Sequence, residues 1–169
     1  MTGVRAQTPA CSVTAAQLPH PPELQGLYLG MSADAFKARW PKLKIVRTDD
    51  LGSSALNVFP AYEPNIDRAS MPDVRTISLE FLDNKLTSLW IGFDASFKWQ
   101  ELEEFTAGIT PVLHLPITWE ANQRSRQLDC ADFQATISMV GQSPTIKLID
   151  KTAQQTLEKR RAEKEASQP

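Results

Sequence analysis

The sequence predicts an α+β fold in which short helices pack on an antiparallel β-sheet. Apolar residues alternate with polar ones on both sides of a turn at 77–93 and again at 133–149, as in strands that bury one face. A segment with helical spacing of apolar residues precedes each of these regions. The order helix, strands, helix, strands suggests two tandem helix-plus-strands units, which a C-terminal helix follows.

Two core-facing helices are predicted, at 33–40 and 97–109. Ser32 and Ser96 precede them, and a serine hydroxyl in that position accepts hydrogen bonds from the free amides of the first turn. Pro41 ends the first helix, because the residue before a proline disfavours helical geometry.

A brief strand is predicted at 43–46, and a long, turn-rich connection at 49–71. Connections of this length are often functional or mobile, so the 49–71 loop is a candidate lid over a ligand site. After the second helix, strands are predicted at 117–122, 133–140 and 145–149.

The register of the 77–93 hairpin follows from its faces. A two-residue loop would place the row of Phe81 opposite Leu86, Ser88 and Trp90. An odd-numbered loop instead puts both apolar triplets on one face, and burying them stabilises the fold by several kcal/mol at about 25 cal/mol per Å². We therefore expect an odd loop with Asn84 in the left-handed conformation. The triplets are Ile77, Leu79 and Phe81, and Leu89, Ile91 and Phe93.

The opposite face of this hairpin carries Trp90. Either a helix or the second unit covers that face, or it is an exposed patch suited to a partner. We expect cover, because Leu82 and Leu86 also need shelter from water. If the face is open, the candidate interaction surface is Trp90, Leu82 and Leu86.

The chain divides into three regions. Residues 1–23 form a polar, Pro-rich arm that is expected to be disordered, and residues 24–150 form a single α+β domain. Residues 151–169 form a charged helix that Asp150 can cap, with Leu157 as its only large aliphatic residue. This helix is either a solvated tail or a docking helix for a partner.

Cys11 and Cys130 are the two cysteines, and neither lies in a CxxC motif. In an oxidising compartment they are expected to pair, closing a loop of about 120 residues and stabilising the fold by about 4–5 kcal/mol. The pair would also order the N-terminal arm. The alternative is two unpaired thiols.

The start of the sequence bears on the compartment. Residues 4–6, Val-Arg-Ala, carry small residues at the two positions that signal peptidase recognises, although no apolar segment precedes them. A periplasmic or secreted protein is therefore expected, with a cytoplasmic protein as the alternative. No apolar run approaches 18 residues, so no transmembrane segment is predicted.

Composition and motifs point to no catalytic chemistry. A formal net charge of -2 gives no reason to expect nucleic acid as a partner. No GxSxG, P-loop, GxGxxG or HExxH motif occurs. His20 lies in the Pro-rich arm, and His114 is expected to be a partly buried loop residue. We therefore expect no catalytic, cofactor-binding or metal-binding residue and no cofactor.

Residues 26–32, Gly-Leu-Tyr-Leu-Gly-Met-Ser, lead into a short helix that ends at Pro41, with a hairpin downstream. This pattern resembles the opening of the SmpA/OmlA (BamE-like) outer-membrane lipoprotein domains. The tandem helix-plus-sheet layout is similar to that of the β-lactamase-inhibitor proteins. The resemblance implies a non-catalytic envelope domain that acts by protein contact, and it implies no site residue.

The expected function is that of a non-enzymatic, exported protein-interaction domain. One alternative is a small ligand-binding protein or hydrolase that uses the 49–71 loop as a lid. The other is a cytosolic structural domain. The partner is expected to be a protein, and the sequence leaves the oligomeric state open.

Overall fold

A computed structural model of the chain describes residues 11–115 and 118–167. Within these residues it has three α-helices and nine β-strands. The helices are α1 (Ala33–Arg39), α2 (Leu102–Val112) and α3 (Lys151–Ala166). The strands are β1 (Glu23–Leu24), β2 (Leu27–Tyr28), β3 (Ser53–Val58), β4 (Val74–Leu82), β5 (Lys85–Phe93), β6 (Glu120–Asn122), β7 (Ser125–Asp129), β8 (Phe133–Val140) and β9 (Ser143–Asp150).

Seven of the strands form one antiparallel sheet, in the order β3-β4-β5-β9-β8-β7-β6, and β1 pairs separately with β2. Helix α1 precedes the strands of one half of the sheet, and α2 precedes the strands of the other half. The predicted α+β class is confirmed, including the C-terminal helix. The two helix-plus-strands units share a continuous sheet because β5 pairs with β9.

The turn of the β4–β5 hairpin has two residues. Asp83 and Asn84 both have left-handed φ values, of 50° and 64°, as the commonest two-residue hairpin turn requires. Phe81 therefore pairs with Leu86. The prediction of an odd-numbered loop is wrong, whereas the left-handed conformation of Asn84 is confirmed.

A β-bulge then corrects the register of this hairpin. Glu80 pairs with Ser88 while the next residue, Phe81, pairs with Leu86, so Thr87 is an extra residue in β5. Beyond the bulge, Leu79 pairs with Leu89. All six members of the two apolar triplets are buried, as predicted. The extra residue that this arrangement needs lies within the strand rather than in the loop.

Helices α1 and α3 begin where the sequence predicts. The Ser32 hydroxyl accepts a hydrogen bond from the Ala35 N–H at 3.0 Å. An Asp150 carboxylate oxygen accepts one from the Ala153 N–H at 2.9 Å. These side chains satisfy amides that the helix itself leaves without partners.

Helix α2 begins later than predicted. It starts at Leu102 rather than at residue 97, so Ser96 is not its cap. The reason is tertiary packing, because Phe97 and Trp99 join Phe105 in an aromatic cluster with ring centroids 5.5–6.2 Å apart. These contacts hold the preceding chain in a non-helical path.

Three strand predictions need correction. Residues 43–46 form no strand, although the Val46 N–H donates to the Ala55 carbonyl at 3.0 Å. The 49–71 connection contains an edge strand, β3, which pairs with β4. The polar strand β7 was not predicted. Residue 117, the predicted start of another strand, lies outside the described residues.

The core lies on one face of the large sheet, under α1 and α2. Phe36 of α1 packs against Phe81 of β4 with ring centroids 5.7 Å apart. Phe105 of α2 packs against Phe93 of β5 at 5.5 Å. Burying each such side chain contributes about 1.5–3 kcal/mol, so the sheet and its two helices depend on one apolar layer.

The N-terminal arm packs on the second unit from residue 11 onward, which corrects the prediction of a disordered arm for residues 11–23. A disulfide joins Cys11 to Cys130, with Cα atoms 4.3 Å apart, so the expected pairing is confirmed. Leu18 is buried, and the Ala15 N–H donates to an Asp132 carboxylate oxygen at 2.9 Å. The first ten residues of the predicted arm lie outside the described residues.

We expect reduction of the disulfide to lower the free energy of unfolding by about 4–5 kcal/mol, because it closes a loop across most of the chain. Urea unfolding followed by tryptophan fluorescence, with and without dithiothreitol, measures this change. The C11S variant should match the reduced wild type and should not respond to dithiothreitol. Equal midpoints for the oxidised and reduced wild type would contradict the prediction.

A second prediction concerns Gly108 in α2, where an added Cβ would overlap the Trp99 indole. Alanine is usually favoured over glycine in a helix by about 1 kcal/mol. We expect G108A to destabilise the protein instead, by about 1–3 kcal/mol, because the indole must leave its packed position. Thermal unfolding measures the change. The reverse substitution at the exposed neighbour, A107G, is the control and should cost only about 1 kcal/mol.

Candidate functional site

The large sheet has two faces of different character. Its inner face carries the apolar core. Its outer face is formed by the side chains that alternate with the core residues along β4, β5, β8 and β9. We define the outer face by Ser78, Glu80, Ser88, Trp90, Gln134, Thr136, Ser138, Thr145, Lys147 and Ile149.

Trp90 lies near the middle of the outer face. Its cross-strand neighbours are Ser78 on β4 and Lys147 on β9. The indole packs over Gly92, where an added Cβ would stand 2.9–3.5 Å from three atoms of the ring. Glycine at that position lets the ring lie against the strand while Trp90 stays only half-buried.

The outer face is polar around this ring, and hydrogen bonds hold part of it in place. The Ser138 and Thr145 hydroxyls are 2.7 Å apart, and the Thr145 hydroxyl also donates to the Ser138 carbonyl at 3.1 Å. Thr145 is buried on this face. Because these groups already have partners, the surface beside Trp90 is ordered before any partner binds.

Trp90, Leu82 and Leu86, the candidate interaction surface in the case of an open face, do not form one surface, and the two leucines are sheltered as expected. Trp90 is half-buried on the outer face. Leu86 is fully buried in the core cluster, because the bulge at Thr87 turns it inward. Leu82 is also buried, at 6% exposure, at the end of the sheet where α3 crosses. Leu86 and Leu82 are therefore not available to a partner.

Helix α3 crosses one end of the outer face. It has no buried residue, and Leu157 is half-buried. A cavity of about 250 Å³ separates the helix from the sheet. The cavity is lined by polar and charged groups as well as apolar ones, including Glu80, Ser88, Lys147, Leu157, Glu158 and Arg161.

Ion pairs rather than apolar contacts fasten α3. The Arg160 guanidinium donates to both carboxylate oxygens of Asp83, at 2.8 and 2.9 Å, and to the Leu51 carbonyl at 2.8 Å. The Lys164 ammonium donates to Asp50 at 2.6 Å. The far half of the helix is thus attached to the turn between β4 and β5 and to the turn before β3.

These contacts shift the titration of the paired groups. The hydrogen bond from Lys164 lowers the pKa of Asp50, and the hydrogen bond from Arg160 lowers the pKa of Asp83. The same pairing raises the pKa of Arg160. Asp50, Asp83 and Lys164 are exposed and Arg160 is half-buried at the surface, so solvent and salt screen the pairs.

The two histidines lie together, one in the N-terminal arm and one after α2. His114 is exposed rather than partly buried, which corrects its prediction. It stands beside His20, which is also exposed. Within the described residues, no group of three or more histidine, cysteine or acidic side chains is placed to hold a metal ion.

Acid or salt should release the far half of α3 before the sheet unfolds. The pKa values of Asp50 and Asp83 are lowered in the folded state, so the two ionised carboxylates stabilise the attachment of α3 above the ordinary carboxyl pKa of about 4. This stabilisation is lost as the pH falls further and the carboxylates take up protons. Backbone NMR signals of 158–166 should move toward random-coil values between about pH 4 and pH 2, or in 1 M NaCl at pH 7.

The double variant R160Q/K164Q is the matched control for this prediction. Its α3 signals should already be shifted at pH 7 and should no longer respond to salt. An acid response of α3 that is the same in wild type and variant would show that other groups fasten the helix.

Comparisons with known proteins leave the family open. No protein-family model matches the chain, and no curated protein matches it. Among solved structures, a cysteine-rich secretory protein from Staphylococcus aureus subsp. aureus Mu50 is similar with a TM-score of 0.46 and 10% identity. The similarity covers 80% of this chain and 47% of that protein, so the chain spans about half of its length. In the described residues, no helix has the length and apolar character needed to cross a membrane.

Proposed function

We propose that this chain is a non-enzymatic, exported protein-interaction domain that binds its partner through the outer face of the sheet. The observation that carries the proposal is the position of Trp90, a half-buried indole in the middle of an ordered polar surface. Tryptophan is enriched among the residues that dominate binding energy at protein interfaces.

The surroundings of Trp90 favour a protein partner. Hydroxyl groups of Ser78 and Thr136 and the ammonium of Lys147 can form hydrogen bonds around an aromatic centre. An apolar centre with a polar rim is the usual anatomy of such interfaces. The rigid sheet beneath it lowers the conformational entropy lost on binding.

Helix α3 borders the same surface and contributes to this proposal. Its residues Glu158 and Arg161 line the cavity beside the outer face, where Glu80 and Lys147 also lie. A partner seated on Trp90 would meet these charges at the edge of the interface. Charges at a rim steer association and specificity more than they add affinity.

The compartment is proposed from the disulfide. Cys11 and Cys130 form a bond that persists in oxidising compartments and is rare in the cytosol. This supports a periplasmic or secreted protein over a cytoplasmic one. The intact mass of the protein from its native host, alkylated before and after reduction, tests this. Two thiols that react without reduction would place the protein in a reducing compartment.

The rival proposal of a ligand-binding protein or hydrolase with a 49–71 lid has less support. Strand β3 occupies part of that segment and pairs with β4 along six residues. Ile66 and Met71 anchor the rest of it in the core. A segment fixed at these points is part of the fold. Replacing the exposed residues Ala61 and Tyr62 with glycine and serine tests whether any ligand or activity depends on it.

We expect W90A to weaken binding of the native partner at least tenfold, by about 1.4 kcal/mol or more, because the indole is the apolar centre of the surface. The partner is first captured in the native host with a photo-crosslinking residue in place of Thr136. The captured protein is identified by mass spectrometry and purified, and its affinity for each variant is measured by calorimetry.

The matched control is Y62A. Tyr62 is an aromatic residue with 88% exposure that lies in the loop after β3, outside the outer face. Its removal should leave the affinity unchanged, and a crosslinker placed there should not capture the same protein. A partner that binds wild type and W90A equally would refute the outer-face proposal even if the crosslink forms.

A further inference from the structure

His20 and His114 are the only histidines of the chain, and the fold brings them together. His20 lies in the N-terminal arm just before β1, and His114 follows α2. Their ring centroids are 5.3 Å apart, with the ring planes tilted by 57°. Both residues are exposed, so this contact is not a consequence of core packing.

The backbone of His114 adds a second observation. Its φ is 53°, in the left-handed region, and it directly follows Leu113, the C-cap residue of α2. Glycine or asparagine usually occupies this position at a helix end, and histidine, like asparagine and aspartate, is enriched among the non-glycine residues that adopt such a φ. The turn is closed by the backbone N–H of His114, which donates to the Pro111 carbonyl at 3.1 Å. Because the backbone closes the turn, the imidazole is not needed for it and can lie against His20.

The two rings share the wall of an open cavity of about 440 Å³. Glu23 and Gln25 line the same cavity and bring one carboxylate and one amide to it. Val112, whose side chain is 47% exposed, forms its apolar side. Glu23 is thus the charged group that faces the histidine pair.

We propose that His20 and His114 together bind a divalent transition-metal ion of the zinc type. Imidazole nitrogens bind Zn²⁺ at about 2.0–2.1 Å, so two imidazoles on one tetrahedral ion have ring centroids about 5 Å apart. The observed separation of 5.3 Å matches that arrangement. Since no third protein ligand is in place among the described residues, water completes the coordination.

A metal ion at this site would tie the N-terminal arm to the end of α2. The disulfide fixes the arm at Cys11, and the metal would fix it again at His20, before β1 begins. This site is separate from the outer face and does not depend on the interaction proposal.

The test uses the full chain with its disulfide intact, without a histidine tag, and treated with a chelator. Calorimetric titration with ZnCl₂ at pH 7.5 should show one ion per chain with a Kd on the order of 10 µM, weaker than four-ligand structural sites. Because the chain has two histidines, long-range ¹H–¹⁵N spectra show both imidazoles directly, and both should shift together. Binding should be lost at pH 5, where protons compete for the imidazole nitrogens.

Two single variants test the pair. H114N keeps a side chain that tolerates the left-handed backbone, and H20N removes the partner ring. Each should weaken Zn²⁺ binding at least tenfold, with circular dichroism confirming that the fold is kept. E104Q, which removes an exposed carboxylate of α2 that does not line the cavity, should leave the Kd unchanged.

Three results would overturn the proposal. The first is the absence of a Zn²⁺ binding signal in the wild type. The second is binding that survives in H114N or H20N. The third is a spectrum in which only one imidazole shifts, since a single histidine does not make the proposed site.

Discussion

Strand β5 pairs with β9 over five residue pairs, from Ser88 opposite Ile149 to Gly92 opposite Thr145, and this ladder holds the two halves of the chain in one sheet. Its inward pairs, Leu89 with Leu148 and Ile91 with Ile146, are fully buried. The alternation of side chains that buries these pairs also fixes the outward position of Trp90. A continuous core on one face and a continuous polar surface on the other are two results of the same ladder.

The two ends of the chain are fastened to this sheet by different physical means. The N-terminal arm is held by a covalent bond at Cys11 and by burial of Leu18, which salt does not weaken. Helix α3 is held by surface ion pairs of Arg160 and Lys164 and by its cap at Asp150. The arm therefore responds to redox conditions, whereas the helix responds to pH and ionic strength.

Much of the fold could be predicted from local periodicity, and the failures have physical causes. The core strands, the caps Ser32 and Asp150 and the extent of α3 follow from patterns within a few residues. The bulge at Thr87 does not follow from such a local pattern. It forms because only a register with one extra residue in β5 buries the apolar side chains of both strands on the same face. The same register places Leu86 in the core, so it is not part of the candidate interaction surface. The meeting of the histidines depends on the path of the arm, which the sequence pattern does not encode.

The outer face and α3 are coupled through the β4–β5 hairpin. Asp83 in the turn accepts hydrogen bonds from the Arg160 guanidinium of the helix. Trp90 lies on β5, the strand that follows this turn. Gly52 is needed beside this contact, since a Cβ there would stand 2.5 Å from an Asp83 oxygen and 2.9 Å from the Arg160 guanidinium. The ion pairs thus hold the helix at the end of the sheet where this turn lies. Under the proposed function, conditions that break these ion pairs would uncover Glu80, Ser88 and Lys147 at one end of the outer face without altering the sheet.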